Sequence, residues 1–251
     1  GYSSTASGES STASGESSTA MGVNTKASGY LSTAMGYGTT ASGAYSTSMG
    51  RSTTASGNRS TAMGGDTTAS GDYSTAMGRS NTASGESSTA MGRSTTASGH
   101  YSTAMGASNE ASGQMSTAMG SGTTASGVYS TAMGLNTTAS GESSTVMGYQ
   151  TTARDYGSLV IGQYNSSGSS ATSADSFSTS APAFVIGNGT ASNAKSDAFK
   201  VMFNGDTTVS NDLTVSGDVV VSSDARLKSN IVSLGSTLSR LLLIDGKSYE
   251  M

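Results

Sequence analysis

Apolar and polar positions keep a seven-residue beat over most of the chain. Each heptad reads Gly, two free positions, Ser or Thr, Thr, Ala, and then Ser or Met, as in Gly99-His100-Tyr101-Ser102-Thr103-Ala104-Met105. In an extended backbone successive side chains alternate between faces, so Ser102 and Ala104 share one face and Thr103 and Met105 the other. Gly recurs without a miss from Gly1 to Gly148, Asp155 interrupts the series and Gly162 resumes it. The residue before Gly alternates. Met21, Met35, Met49 and so on to Met147 interleave with Ser28, Ser42, Ser56 and their successors, which makes the true unit fourteen residues. This predicts a coil of two short strands and two turns, one strand carrying Met and the other Ser. Glycine supplies the positive φ of a tight turn, and the coils stack into a β-solenoid.

The same pattern excludes two other readings of a heptad-rich, glycine-rich chain. A coiled coil needs two large apolar positions per seven, and glycine costs about 1 kcal/mol at each helix position relative to alanine. A flexible Gly/Ser linker has no reason to hold phase over ten units. Each coil is expected to bury about two Ala and one Met, roughly 3 to 5 kcal/mol of apolar transfer, against about 1 to 2 kcal/mol for each residue ordered, so the apolar term is thin for an isolated solenoid. The Met face is expected to meet a partner, and packing about a threefold axis would supply one while covering strand edges.

The phase ends with larger residues. Leu159-Val160-Ile161-Gly162 keeps the register as a capping coil should. Residues 165 to 180, rich in Ser and Gly, read as an irregular connection. Phe184-Val185-Ile186-Gly187 and the run Ala198 to Phe203 read as strands, and Thr207 to Val221 alternates apolar and polar around a turn at Gly217-Asp218. The resulting division is a repeat region over 1–164, a β-rich neck over 165–222 and a different C-terminal segment over 223–251.

Only the two positions after each Gly vary freely, which places them at solvent-facing turns. The second of them holds Tyr45, Tyr73, Tyr101 and Tyr129, twenty-eight residues apart and therefore on one edge of every second coil. Leu31, Arg59 and Met115 occupy the same slot. Such a ladder suits contact with a surface or glycan, or stacking between neighbouring coils or chains; the stacking role is the simpler of the two. Charge sorts by turn as well. Glu16, Asp72, Glu86 and Glu142 lead Met heptads, whereas Arg51, Arg79 and Arg93 lead Ser heptads. His100, the one histidine, has no carboxylate or cysteine close to it in sequence and reads as a solvated turn residue. The outward Thr columns raise the idea of an ice-binding face, but Lys26 and Glu110 interrupt one of them.

Composition narrows the chemistry. The 251 residues contain no Cys, so disulfides and thiolate metal sites are excluded. A net charge of −4 without a basic run argues against a nucleic-acid or anionic-membrane partner. No apolar stretch approaches the length of a membrane helix, and residue 1 does not open a signal peptide. There is no acid pair, metal cluster or phosphate loop, so neither a cofactor nor an external substrate is expected.

The fourteen-residue units, with Ser102, Ala104 and Gly106 at small positions and Thr103 and Met105 at larger ones, resemble the head repeats of trimeric autotransporter adhesins of the YadA-like type. The resemblance covers residues 1 to about 165. It implies an all-β fold, a left-handed parallel β-roll assembled as a homotrimer. It also implies attachment to a cell-surface glycan or protein receptor, outside the cell. This chain departs in using Thr and Met where that family often has Val and Ile. A second resemblance lies in Ser223-Asp224-Ala225-Arg226-Leu227-Lys228, with the leucine-rich segment Leu238 to Ile244 and Tyr249 after it. It is similar to the start of the intramolecular chaperone domain of endosialidases and phage tail spikes. That likeness implies chaperone-guided trimerisation and self-cleavage, with Ser223 as nucleophile, Lys228 as base, scission between Ser222 and Ser223, and a short α segment at the C-terminus. Residues 223–251 cover only the beginning of such a domain, so self-cleavage by this chain is not expected. Together the two likenesses imply an attachment fibre, viral or bacterial, with a fibre shaft that only spaces as the rival reading.

Overall fold

A computed structural model describes residues 2–218. The chain divides into two compact units, Gly1–Asp212 and Leu213–Met251, and the architecture below is that of the first. Ser222, Ser223, Lys228 and the expected C-terminal α segment lie outside the described residues.

The first unit is an all-β parallel solenoid. Long strands such as Thr75–Arg79 and Thr89–Arg93 stack in a 15-stranded sheet. Short strands such as Thr82–Ala83 and Thr96–Ala97 stack in an 11-stranded sheet. The chain passes from one sheet to the other at each turn. Neighbouring long strands pair in parallel with identical residues opposite one another: Thr75 with Thr89, Ala76 with Ala90, Met77 with Met91 and Gly78 with Gly92. The fourteen-residue period is thus the rise of one coil. Eleven coils at about 4.8 Å each give a length on the order of 50 Å.

The alternation of faces holds. Ala90 of a long strand and Ser88 just before it are buried, as are Ala97 of the facing strand and Thr95 just before that, and the same four columns run along the roll. The core is therefore a ladder of small side chains between two closely facing sheets. Met points outward, as do Thr89 and Thr96 of the two sheets, which are half-buried. At four turns of the roll the hydroxyls of Ser18, Ser32, Ser74 and Ser158 donate to the carbonyl three residues back, as Ser74 does to Gly71 at 2.6 Å. Asn81 stands in the Thr column and ties two coils together. Its amide nitrogen donates to the carbonyls of Met77 at 2.6 Å and Gly92 at 2.8 Å, and its oxygen accepts from Thr95 N at 2.9 Å.

The expected role of glycine needs correction. Gly92 has φ of 121° but lies inside the strand Thr89–Arg93, and Gly99 has no positive φ at all. The left-handed residue of each turn is instead the second one after Gly, such as Ser94 with φ 56° and Tyr101 with φ 59°. Glycine is required because coils stack on it. A Cβ at Gly92 would lie 2.0 Å from the carbonyl oxygen of Gly106, and one at Gly99 would lie 2.0 Å from that of Gly113.

The C-terminal end of the roll is closed by residues that break the repeat. The strand Pro182–Asn188 follows an 18-residue excursion, residues 164–181, yet it pairs with Leu159–Gln163 in the register of the coils: Val160 with Val185, Ile161 with Ile186, Gly162 with Gly187. The sheet then turns antiparallel through Asp197–Met202 and Thr207–Val209. Here Val146, Val160 and Val185 replace the buried Ala, and the core thickens. Among the described residues there is no helix.

Candidate surface-contact site

Every non-glycine residue at the second turn position faces a backbone requirement before any functional one. Left-handed φ is uncommon outside Gly, Asn and Asp and is worst for β-branched side chains. The slot contains no Val, Ile or Thr anywhere in the roll, and Ser, Asn, Asp and Gly fill most of it. Seven of the nine exceptions fall at one of the two turns of the coil, Leu31, Tyr45, Arg59, Tyr73, Tyr101, Met115 and Tyr129, with φ between 52° and 60°; Gln150 and Tyr164 lie at the opposite turn, at the end of the roll. Seven large side chains held in a disfavoured backbone region along one edge mark that edge as a surface to examine.

The turn holds these side chains firmly. The amide N–H of each donates to the carbonyl of the preceding coil, Tyr45 to Tyr30 at 2.7 Å, Tyr73 to Asn58 at 2.8 Å and Tyr101 to Glu86 at 2.8 Å. One coil further along, the same column supplies the next residue, so side chains fourteen apart in sequence become neighbours. Arg59 sits between two rings, its guanidinium carbon 5.2 Å from the centroid of Tyr45 and 5.2 Å from that of Tyr73. Its Nη1 also donates to the Tyr73 hydroxyl at 2.8 Å. Tyr30 adds an edge-to-face contact to Tyr45, with centroids 5.4 Å apart. The strip Tyr30–Tyr45–Arg59–Tyr73 is thus a stacked unit, each member holding the next against solvent motion. Tyr101 and Tyr129 flank Met115 in the same column without an aromatic partner among the described residues. All four ladder tyrosines are about half exposed, between 48% and 53%.

The first turn position adds polar groups beside this edge. Asp72 accepts from the backbone and side-chain nitrogens of Asn58, at 2.8 Å and 3.2 Å. His100 has a carboxylate beside it after all: its Nδ1 lies 3.5 Å from Glu86 Oε2, because one coil carries Glu86 to the position directly below. Both side chains are largely exposed, so the contact is a weak one. At the opposite turn Arg51 pairs with Asp66 at 3.1 Å, again in solvent. The charge sorting by turn places like charges in columns, and the pairs that form run between adjacent coils.

Two chemically useful residues were not singled out as candidates from the sequence. Asp155 interrupts the glycine series and is buried, and its Oδ1 accepts from Thr172 N and Ser173 N. Asp197 draws together Ser166 and Ser167 from the excursion. The break in the glycine series was the available signal for the first, and the sequence carried none for the second. Among the described residues no three His, Cys, Asp or Glu side chains gather as a metal site would require, and no helix is long and apolar enough to cross a membrane.

With this geometry in place, comparison with known families gives a consistent result. The YadA head domain repeat (2 copies) matches residues 1–25, 13–30, 27–53, 55–81, 83–109, 111–137 and 139–165. From residue 27 onward the matches begin every twenty-eight residues, two coils at a time. No curated protein matches the chain.

Proposed function

Because the chain belongs to the YadA head-repeat family, we propose that it forms the head or shaft of a homotrimeric fibre that is displayed outside the cell and attaches to a host or target surface. The observation that supports this reading is the difference between the two outer faces of the roll. The short-strand sheet presents Thr and Ser, which water solvates. The long-strand sheet presents a column from Met21 to Met147 in unbroken register, continued by Ile161 and Ile186. Neighbours in this column stand one coil apart, and several are more than a third exposed in the single chain, Met21 at 42% and Met91 at 38%. A contiguous apolar strip of this length is a binding surface in a soluble protein. In the trimeric reading it faces the two other rolls, leaving the Tyr45–Tyr129 edge and the opposite turns to meet the receptor.

The receptor in this reading is a cell-surface glycan or protein. Stacked aromatic and arginine side chains suit the flat faces of sugar rings or an extended peptide. A structural spacer is the second reading. It is favoured by the opposite turn, where Ser52, Ser80, Ser94 and Ser108 fill the outward slot with small hydroxyls. Binding of the trimer to glycan arrays and to cultured cells separates the two. Signal that falls on replacing Tyr101 and Tyr129 with Ser supports attachment, and silence in both formats supports the spacer. The proposal extends to maturation, with Ser223 attacking the Ser222–Ser223 bond and Lys228 as base. In protein carrying the whole chaperone domain, Ser223→Ala should leave the precursor uncut on a denaturing gel. Continued scission removes Ser223 from that role.

A further inference from the structure

The antiparallel end of the roll carries a cleft that neither the repeat nor the family match accounts for. Three segments build it: the start of the excursion, the entry to the strand Asp197–Met202, and the strand Thr207–Val209. Its volume is about 330 Å3, and an adjoining recess of about 240 Å3 shares Ser166, Ser167 and Lys200 with it. Ligand sites begin at roughly 300 Å3, the size suited to one small polar molecule.

The lining is unusual for this chain. Lys26, Lys195 and Lys200 are the lysines of the described region, and two of them border this one cleft. Neither forms an ion pair among the described residues. Thr208 adds a hydroxyl. The one carboxylate present, Asp197, is already engaged. Its Oδ1 accepts from Ser166 N at 2.8 Å, and its Oδ2 accepts from the Ser166 hydroxyl and from Ser167 N, each at 2.8 Å. Burial works against its ionisation, but the hydrogen bonds from Ser167 and Ser166 outweigh burial and hold its pKa below the usual carboxylate value. Asp197 therefore stays charged at neutral pH and fixes the wall of the cleft. The groups left over are donors: two ammonium ions and a threonine hydroxyl, in a chain whose net charge is −4.

We propose that this cleft binds an acidic sugar, a single saccharide residue bearing a carboxylate or sulfate group, with Lys195 and Lys200 on the anion and Thr208 on ring hydroxyls. Unpaired ammonium donors select an anion, because charge-assisted hydrogen bonds are the strong ones. A lining that is more polar than apolar and carries several hydroxyls suits a sugar better than an aliphatic acid. The proposal deepens the attachment reading and rests on it for its biological sense, but its chemistry stands on the cleft alone.

The test is titration calorimetry on the trimer at low salt. The probes are 3′-sialyllactose, lactose 3′-sulfate, lactose and sodium phosphate. One or both acidic sugars should bind at least about tenfold more tightly than lactose. The Lys195→Gln/Lys200→Gln variant should lose about tenfold in affinity, while Lys26→Gln should bind as the parent does. Equal binding of lactose and both acidic sugars overturns the proposal, and so does phosphate binding as tightly as the sugars. Unchanged affinity in the double variant overturns it as well. A double variant that binds sugar normally but melts at lower temperature assigns the lysines to the assembly instead, again overturning it. Cell attachment is scored in parallel. Attachment that survives the double variant leaves the attachment reading standing without the cleft. Lysine-dependent sugar binding without attachment by the parent does the reverse.

Discussion

One hydrogen atom decides whether two coils of this roll can stack. At Gly99 the backbone angle is available to any residue, yet a methyl group would sit 2.0 Å from the Gly113 carbonyl oxygen, against backbone that belongs to the next coil and cannot move alone. Alanine there acts by pushing coils apart, with no cost from φ. Gly65 is the contrasting case, with nothing within 4 Å of its missing Cβ and with Arg51 and Arg79 in the same column on either side. Gly99→Ala should lower stability by about 3 kcal/mol through overpacking, and Gly65→Ala should change it by less than about 0.5 kcal/mol. Denaturant melts of the two variants check this. Equal effects would mean that coil spacing is softer than the stacked glycines imply. The left-handed residues obey a parallel rule. They tolerate Tyr, Arg or Met but no β-branched side chain, and for that reason the variable slot varies only within limits.

At the scale of elements, the ends of the two sheets show how the roll stops. The short-strand sheet ends at Thr152–Ala153, and its open edge is met by one side chain. Asn165 accepts from Thr152 N at 2.8 Å and donates to Thr152 O at 2.8 Å, taking the place of the next strand. An edge paired in this way no longer invites another chain. Asp155 works beside it. It occupies a glycine position in the last coil of its column, where no further coil lies on the Cβ, and its carboxylate holds Thr172 and Ser173 of the excursion. Asp155→Gly should restore the repeat and leave the roll intact while freeing that segment, so limited proteolysis should cut between residues 168 and 178 severalfold faster than in the parent. Cleavage at the parental rate would show that the carboxylate is not the tether. The coils themselves were legible, because a period of fourteen fixes strand, face and register together. The return of the strand Pro182–Asn188 to coil register after the excursion was not, because pairing across a long connection depends on three-dimensional closure and leaves no period in the chain. The Tyr edge was visible as a spacing of twenty-eight, whereas its Arg59 bridge required knowing that residues fourteen apart touch. The cleft at Lys195 and Lys200 joins three non-repeating segments and had no signature to read.

At the scale of the whole molecule, the question is which face of the roll would look inward in the proposed trimer. The buried columns are alike in both sheets, small and apolar or hydroxylic, so the interior does not distinguish them. The outer faces do. Met91 and Ser98 are equivalent in sequence, each the residue before a glycine, each at an outward position and each exposed in the single chain. They differ in side chain and in position, Met91 lying in the long strand Thr89–Arg93 and Ser98 directly after the short strand Thr96–Ala97. A charge at either site costs the isolated roll little, since water reaches both. In a trimer packed through the methionine column, an aspartate at position 91 would put three like charges at one level of a dry seam, and unpaired buried charge is among the most destabilising changes a protein can carry. Met91→Asp should therefore dissociate or strongly destabilise the trimer, while Ser98→Asp should leave mass and melting temperature unchanged. Light scattering coupled to size exclusion, followed by thermal melts of both variants, reads this directly. If Met91→Asp remains a trimer with parental stability, the methionine face is not the seam. If Ser98→Asp is the variant that falls apart, the rolls pack through the opposite sheet, and the Tyr45–Tyr129 edge would have to be re-placed relative to the fibre axis.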